Sequence, residues 1–214
     1  MLHMSLDLIN LSAHIGAEPL FSGVSQSIDP GHILAVMGPS GSGKTTLLNI
    51  IGGFAASPVR WTGEVQLAGR RLNSLPPQRR RLGLVFQTPL LFPHLSVGQN
   101  LGFGMPSGQS AVLRQATIEQ ALSTAGLTGF ADRDPESLSG GQRARISLLR
   151  TLLSQPDALL LDEPFSALDE ATKADMRAFT AAQIRNTALP TILVTHDPRD
   201  AEAMDARRFH LPPS

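Results

Sequence analysis

The sequence predicts an α/β fold built on a parallel sheet, with a small antiparallel sheet near the N-terminus and a helical insertion. Three runs, Ile33–Met37, 158–161 and 191–195, are short and mostly apolar, which is typical of parallel strands buried on both faces. The sequence before residue 30 alternates instead, which favours an antiparallel sheet with one exposed face. Between these parts, a helical period appears over residues 110–126.

The first third of the chain predicts the small antiparallel sheet. Alternation over the first strand puts Leu6, Leu8 and Asn10 on one face, because successive side chains of a strand point to opposite sides. Residues 24–28 predict a second strand that ends at a Pro-Gly turn, and residues 62–69 predict a hairpin strand.

The middle of the chain predicts a core strand followed by the helical insertion. Residues 82–86 form an apolar run, and Pro and Gly residues punctuate the sequence that follows it. Residues 110–126 then predict a helix with Ser110 as its N-cap and Gly126 as its stop. The expected apolar stripe of this helix consists of Ile118, Ala121, Leu122 and Ala125.

Length and composition favour one domain. The chain has 214 residues, somewhat more than the commonest domain size, and a 42% hydrophobic share that supports a sizeable core. We expect a single domain over residues 1–214, with 1–86 and 151–214 as the α/β core. Residues 88–150 are expected to form the helical subdomain.

A glycine-rich loop predicts a phosphate site. Residues 38–45 fit the pattern G-x-x-x-x-G-K-S/T at every fixed position, between the strand Ile33–Met37 and an apolar segment, residues 46–51, that predicts a helix. Backbone N–H groups and the helix N-terminus would hold β- and γ-phosphates, Lys44 would add a charge, and Thr45 would offer a hydroxyl to Mg²⁺. A chance Gly/Ser-rich turn is the alternative, and the full match in this context disfavours it. The expected ATP-binding residues are Gly38, Pro39, Ser40, Gly41, Ser42, Gly43, Lys44, Thr45 and Thr46.

A second glycine-rich element predicts another anion site. Residues 138–142 read Leu-Ser-Gly-Gly-Gln, and a strongly helical stretch follows them. Ser139, Gly140, Gly141 and Gln142 would therefore lie at a helix N-terminus, which attracts anions. An ordinary capped helix start is the alternative interpretation. Since a chain with one phosphate loop has no evident need for two such sites, we expect this element to reach a nucleotide held by another molecule.

Acidic residues and a histidine follow two of the predicted core strands. Asp162 and Glu163 end one strand, and Pro164 follows them; His196 ends another. Asp162 could hold Mg²⁺, Glu163 could orient or deprotonate an attacking water, and His196 could bind a γ-phosphate. A helix-start cap is the alternative for the Asp-Glu pair. The other histidines are expected to be surface or packing residues: His3, His14, His32, His94 and His210.

Charge and cysteine content limit the partners. Eighteen basic residues balance eighteen acidic ones, so no electrostatic footprint for nucleic acid is expected. The chain has no cysteine, which excludes disulfides and thiolate metal sites. Residues 1–7 lack the features of a signal peptide, and no apolar run is long enough for a membrane span. The Arg79-Arg80-Arg81 run is interpreted as a solvated approach to the next strand, with a phosphate contact as the alternative.

Together these motifs resemble the ATP-binding subunit of an ABC transporter, with a P-loop nucleoside triphosphatase core, over residues 6–203. The resemblance implies that two subunits pack head to tail, so that the signature of one closes on the ATP held by the other. It also implies that Gln87 acts at the catalytic site and joins Thr45 and Asp162 around Mg²⁺. The implied motifs are the Walker A loop (38–45), the Q-loop glutamine Gln87, the signature (138–142), the Walker B strand (159–162), the catalytic base Glu163, the D-loop (166–169) and the switch histidine His196.

The segment 90–100 is similar to that of bacterial importers which work with a periplasmic solute-binding protein, especially those for thiamine, ferric iron, molybdate, sulfate or polyamines. The resemblance implies a transmembrane permease bound through Gln87 to Asn100, at the cytoplasmic face of the inner membrane. Simple core packing is the alternative for this apolar segment. The rival functions are an ABC exporter subunit, a kinase or GTPase acting alone, and a non-transport ABC protein.

Three departures from the family pattern stand out. Ile15 occupies the position where the family stacks adenine on an aromatic ring, which puts selectivity for the nucleobase in doubt. His32 replaces an acidic residue, a change without an interpretation. Only 18 residues follow His196, so no C-terminal regulatory domain is expected.

Overall fold

Two sheets share one apolar core in the computed structural model, which describes residues 4–211. The strands are β1 (Leu6–Ile15), β2 (Glu18–Ile28), β3 (Ile33–Met37), β4 (Val59–Leu67), β5 (Arg70–Arg71), β6 (Leu82–Val85), β7 (Ala158–Asp162), β8 (Thr191–Val194) and β9 (Arg207–His210). The helices are α1 (Lys44–Gly52), α2 (Val97–Phe103), α3 (Ala111–Thr124), α4 (Gly140–Leu153), α5 (Glu170–Thr187) and α6 (Pro198–Ala203). Two short 3₁₀ turns cover Pro77–Arg79 and Pro135–Ser137.

The parallel sheet has the strand order β6-β7-β8-β3-β9. Its three central strands, β7, β8 and β3, are buried on both faces, as their apolar sequences predict. Leu34 and Val36 of β3 pack with α1 and the antiparallel sheet, whereas Ile33 and Ala35 pack with α4 and α5. Because the strands are parallel, the segments that follow β3, β6, β7 and β8 all leave the sheet at one edge.

The antiparallel sheet has the order β2-β1-β4-β5 and departs from the predicted alternation. Leu6 and Leu8 are buried as expected, but Asn10 is exposed and Leu11 is buried in its place. The register of β1 shifts between Leu8 and Leu11, where Asn10 has a left-handed φ of 49°. This β-bulge adds a residue to the strand, so the prediction that Asn10 shares the face of Leu6 is wrong.

Helices α2, α3 and α4 share a separate apolar cluster. Ser110 caps α3 by accepting a hydrogen bond from the N–H of Leu113 (3.2 Å), and Gly126 follows the helix with a φ of 69°. Both end signals predicted from the sequence are therefore present. The cluster consists of Val97, Leu101, Met105, Ile118, Leu122, Ala125, Leu127, Leu138, Ile146 and Leu149.

The three-arginine run is the second correction to the sequence prediction. Arg80 is only 3% exposed, and its guanidinium donates to the carbonyls of Ile50 and Ile51 at the end of α1 (2.8 and 2.7 Å). It also donates to the carbonyls of Leu75 (2.9 Å) and Asn73 (3.3 Å). Burial lowers the pKa of Arg80. Arg80 is thus a buried cap for the end of α1, and it is neither a solvated residue nor a phosphate ligand.

Several elements differ from their predicted extents. Helix α1 begins two residues earlier than the predicted segment, and β1 and β2 are longer than predicted. Helices α2 and α6 and strand β9 were not predicted. Within residues 4–211, no helix combines the length and apolar character that a membrane crossing needs. His3 lies outside the described residues.

We predict that Arg80→Met lowers the free energy of unfolding by about 3 kcal/mol, because four carbonyls lose their donor inside the core. Thermal denaturation should show a fall in Tm of roughly 6–12 °C for a domain of this size. The neighbouring Arg79 has an exposed side chain, so Arg79→Met is the matched control and should change stability by less than about 0.5 kcal/mol. Equal effects of the two substitutions would contradict the assigned cap.

Candidate active site

The phosphate loop lies between the carboxyl end of β3 and the first turn of α1. Gly41 and Gly43 have φ values of 83° and 88°, a left-handed conformation that favours glycine. A Cβ on Gly43 would come within 3.1 Å of the Phe21 ring. The sequence therefore needs glycine at position 43 for backbone conformation and for packing against β2. The Ser42 hydroxyl oxygen is buried and has no hydrogen-bond partner among residues 4–211.

Lys44 is the first residue of α1 and is 6% exposed. Its ammonium group donates to the carbonyls of Gly38 and Pro39, both at 2.8 Å. The positive charge of Lys44 is thereby held within the phosphate loop, close to the loop's backbone N–H groups and to the N-terminus of α1. This concentration of positive potential suits a polyphosphate.

Thr45 and Asp162 meet although 117 positions separate them in the sequence. The Thr45 hydroxyl donates to a carboxylate oxygen of Asp162 at 3.4 Å. Burial raises the pKa of Asp162, and the neighbouring charge of Glu163 adds to this, while the Thr45 hydrogen bond and the charge of Lys44 oppose it. One hydroxyl and one carboxylate beside a phosphate loop form a donor set that fits Mg²⁺, which takes few protein ligands together with phosphate oxygens and water.

Glu163 and His196 are brought together by the pairing of β7 with β8. The Glu163 N–H donates to the carbonyl of Val194 (2.9 Å), which extends that pairing by one residue. The His196 Nδ1 then lies 3.1 Å from a carboxylate oxygen of Glu163. Glu163 has a φ of 45°, uncommon for a residue with a side chain and found more often at functional sites. The Ser166 hydroxyl donates to the Glu163 carbonyl (2.9 Å) and ties the following loop to this residue.

Gln87 lies two residues beyond β6, at the same sheet edge as Asp162, because β6 pairs with β7 from Leu82 to Val85. Its side chain is exposed. Among the hydrogen bonds within residues 4–211, none involves the Gln87 side chain. The structure thus places Gln87 at the site's edge without joining it to Asp162 or Thr45.

The second predicted anion site lies at the start of α4, as expected. Ser139 is the N-cap: its hydroxyl accepts from the Gln142 N–H (3.3 Å), and the Gln142 side chain accepts from the Ser139 N–H (2.9 Å). This capping box leaves the Ser139 hydroxyl hydrogen and the N–H groups of Gly140 and Gly141 free to bind an anion. Ser139 and Gly140 are exposed.

The structure does not bring the two anion sites of one chain together. Within residues 4–211, no hydrogen bond or ion pair joins the segment 139–142 to the phosphate loop. The start of α4 packs instead against the loop before α5, where a Cβ on Gly140 would lie 3.5 Å from Leu168. At Gly141 a Cβ would come within 2.5 Å of Thr172. Ser139 is therefore displayed on a surface and does not face its own phosphate loop.

Sequence comparison identifies the family. A family model described as ABC transporter matches residues 21–166, more than half of the chain. The chain belongs to the ABC transporter family. The resemblance inferred from the ordered motifs is thereby confirmed, and with it the prediction of an ATPase.

Two relatives illustrate where the chain lies among ABC proteins. It is 43% identical over 194 residues to the ABC transporter ATP-binding protein YnjD of Escherichia coli strain K12, covering 91% of this chain and 89% of that protein. It is 40% identical over 206 residues to the Fe(3+) ions import ATP-binding protein FbpC 3 of Rhodococcus jostii strain RHA1. That alignment covers 95% of this chain but only 58% of the longer relative.

A solved ABC structure confirms the predicted fold class. The dimeric post-hydrolysis state of the ATP-binding cassette MJ0796, bound to ADP and Pi, matches with a TM-score of 0.78 and 31% sequence identity. The match covers 96% of this chain and 94% of that one. The combination of parallel core sheet, antiparallel sheet and helices is thus that of an ABC ATPase.

We predict that Asp162→Asn stabilises this ABC ATPase at pH 7. The pKa of Asp162 is raised in the folded state, so its ionisation costs folding free energy at every pH above that raised value. Removing the charge should raise Tm by about 2–4 °C at neutral pH. This gain should shrink as the pH falls towards about 4, where the carboxyl is also protonated in the unfolded chain.

The matched control is Asp175→Asn, since Asp175 is an exposed carboxyl on α5. Differential scanning fluorimetry across the pH range measures both variants against the wild type. A Tm gain at Asp162 that does not depend on pH, or one shared by Asp175→Asn, would show that burial of the charge is not its cause.

Proposed function

We propose that this chain is the ATP-hydrolysing subunit of a binding-protein-dependent ABC importer of a small solute. The observation that carries the proposal is the meeting of Lys44, Thr45, Asp162, Glu163 and His196 at one edge of the parallel sheet. These residues supply a phosphate-binding charge, a metal-binding pair and a carboxylate beside a histidine. That set is what phosphoryl transfer to water requires.

The phosphate loop is proposed to bind and orient the triphosphate. The backbone N–H groups of residues Gly38 to Thr46, other than Pro39, would surround the phosphates. The Lys44 ammonium would move from its carbonyl partners onto the β- and γ-phosphates. Thr45 and Asp162 would hold Mg²⁺, with Gln87 completing the set from the end of β6. When bound, Mg²⁺ neutralises charge on the phosphate oxygens.

Glu163 is proposed as the general base. Its carboxylate lies beyond the end of β7, beside the expected position of the γ-phosphate, and its backbone is fixed by the bond to Val194. A water held by this carboxylate would attack in line while the proton passes to Glu163. His196, 3.1 Å from the same carboxylate, is placed to donate to the γ-phosphate and so to distinguish ATP from ADP.

A second copy is proposed to complete the site. Ser139, Gly140, Gly141 and Gln142 would contact the ATP held by the opposite protomer. The exposure of Ser139 and Gly140, and the lack of any hydrogen bond within residues 4–211 between this segment and its own phosphate loop, support the proposal. The related MJ0796 cassette, in its post-hydrolysis state, is a dimer. Driving an open pair almost wholly into the closed form takes about 5.5 kcal/mol of differential binding, and γ-phosphate contacts on both sides of the sandwich could supply it.

The permease is proposed to dock on the segment Gln87 to Asn100, at the cytoplasmic face of the inner membrane. Leu90 on this segment is 57% exposed. Phe103, whose ring centroid lies 4.5 Å from that of Phe92, is 67% exposed. Asn100 is fully buried and holds the loop by bonding Phe92 in both directions (2.8 and 3.1 Å). Residues 88–150 would move as the subdomain that carries this surface. Import is favoured because the Rhodococcus relative is named for iron import.

We predict that Glu163→Gln binds ATP, forms dimers and hydrolyses ATP at least about 100-fold more slowly than the wild type, because the amide cannot accept the proton. Size-exclusion chromatography with light scattering measures dimer formation with Mg²⁺-ATP, and phosphate release measures turnover.

The matched control is Glu202→Gln, since Glu202 is an exposed glutamate on α6. It should dimerise only transiently and hydrolyse ATP at the wild-type rate. Normal turnover by Glu163→Gln would remove Glu163 from the role of base. A Glu163→Gln protein that stays monomeric with saturating ATP would argue against the shared site.

A further inference from the structure

An ion pair that the sequence did not reveal lies beneath the switch histidine. Arg177 of α5 and Asp200 of α6 are each 5% exposed. The Arg177 guanidinium lies 2.6 Å from an Asp200 carboxylate oxygen through Nη2 and 2.7 Å from it through Nε. Two charges are thus held almost out of contact with water, which is costly unless their hydrogen bonds are satisfied.

The ion pair reaches both chain neighbours of His196. Asp200 accepts from the hydroxyl of Thr195 with its other oxygen. The same hydroxyl accepts from the Asp197 N–H (3.0 Å), and Arg177 donates to the Asp197 carboxylate (3.2 Å). Thr195 and Asp197 are therefore both fixed by side-chain bonds, whereas the His196 side chain itself is 63% exposed.

A second contact links the same turn to the start of α5. Arg199 donates to Asp197 (2.8 Å) and to Glu170 (2.9 Å). Glu170 is the first residue of α5, directly after the loop in which Ser166 bonds the Glu163 carbonyl. Hydrogen bonds from Arg199 lower the pKa of Asp197 to about 2, so its carboxylate stays ionised over the working pH range.

We propose that Arg177 and Asp200 are positioning residues for hydrolysis, which hold the His196 turn at a fixed distance from Glu163. The proposal rests on the proposed function. The chain neighbours of His196 are bonded to Arg177 of α5 and Asp200 of α6. Glu163, on the other side of the site, is bonded to the loop that enters α5. The imidazole is thus held by its backbone, while its ring is left free to reach the γ-phosphate.

A purely structural ion pair would behave differently when both charges are removed. Buried pairs can often be replaced by apolar side chains with little loss of stability, because the desolvation cost disappears with the charges. Here such a replacement would also remove the Asp200 acceptor from Thr195 and the Arg177 donor from Asp197. A double variant should therefore keep most of its stability while its rate of ATP hydrolysis falls.

The test uses the full chain with Arg177→Met and Asp200→Leu combined. We expect kcat for ATP hydrolysis to fall by about 10- to 100-fold, since small misplacements of a catalytic group have effects of this size. The KM for ATP should change by less than about threefold, because the phosphate loop is unaltered. A kcat close to that of the wild type in the folded double variant would overturn the proposal.

A second comparison shows whether the pair acts through His196. Adding the double substitution to His196→Ala should lower kcat no further than His196→Ala alone, within about threefold, because a residue that acts through another has nothing left to position. If the fold-losses of kcat from His196→Ala and from the double substitution multiply in the combined variant, the ion pair acts elsewhere in the protein. That result would reject the proposal.

A distant control is the more exposed ion pair of Arg81 and Asp157, which lie just before β6 and β7 with their side chains 2.5 Å apart. This pair sits at the opposite edge of the sheet from the site. Arg81→Met combined with Asp157→Leu should leave kcat within about twofold of the wild type, as expected for distant positions. A comparable loss of kcat in this control would contradict a specific role for Arg177 and Asp200.

A gentler pair of variants covers the case in which the double variant does not fold. Thr195 is 1% exposed, so Thr195→Val keeps the shape but removes the hydroxyl link, whereas Thr195→Ser keeps the link. We expect Thr195→Val to lower kcat and Thr195→Ser to retain it; equal values would overturn the proposal. A wild-type chain that does not hydrolyse ATP would instead refute the proposed function, so the two failures are distinguishable.

Discussion

The parallel pairing of the core strands is the constraint from which the site follows. Since β3, β6, β7 and β8 run in the same direction, the segments that follow them leave the sheet at one edge. The phosphate loop, Gln87, the Asp162-Glu163 pair and His196 each occupy one such segment. Residues separated by more than 100 positions therefore meet, as Thr45 and Asp162 do at 3.4 Å. Only this shared edge of the sheet brings the four motifs, which are distant in the sequence, close enough to form one site.

Much of this arrangement could be predicted because its signals are local. The runs at β3, β7 and β8 are apolar enough to indicate burial on both faces. The Gly-rich loop and the Ser139 cap are each defined by residues at fixed positions within a short stretch of sequence. The exposed face of β1 could not be predicted, because the bulge at Asn10 depends on pairing with β2 and β4. Arg80 looked like a surface charge because its acceptors lie 5 to 30 positions away. The bonds beneath His196 were missed for the same reason, since they join α5 to α6.

The proposed division of the site between two places on the surface connects the fold to the mechanism. The phosphate loop and the acidic pair form one half, on the edge of the parallel sheet. The other half would be the first turn of α4, where Ser139 and Gly140 are exposed and the Ser139 hydroxyl hydrogen is free to donate. Helix α4 also belongs to the apolar cluster of α2 and α3, so a ligand held at its first turn would act on the helical region as a whole. Closure around ATP and movement of the permease-facing surface would thus be one event.

The most direct measurement asks whether Ser139 of one protomer reaches the phosphate loop of the other. The chain has no cysteine, so two single-cysteine proteins, Ser40→Cys and Ser139→Cys, can each be made with Glu163→Gln and mixed with a short bismaleimide crosslinker. The account predicts a crosslinked dimer that forms only in the mixture and only with Mg²⁺-ATP, while each protein alone stays uncrosslinked. Crosslinking that is no stronger with ATP than without it, in a mixture that binds ATP, would contradict the shared site.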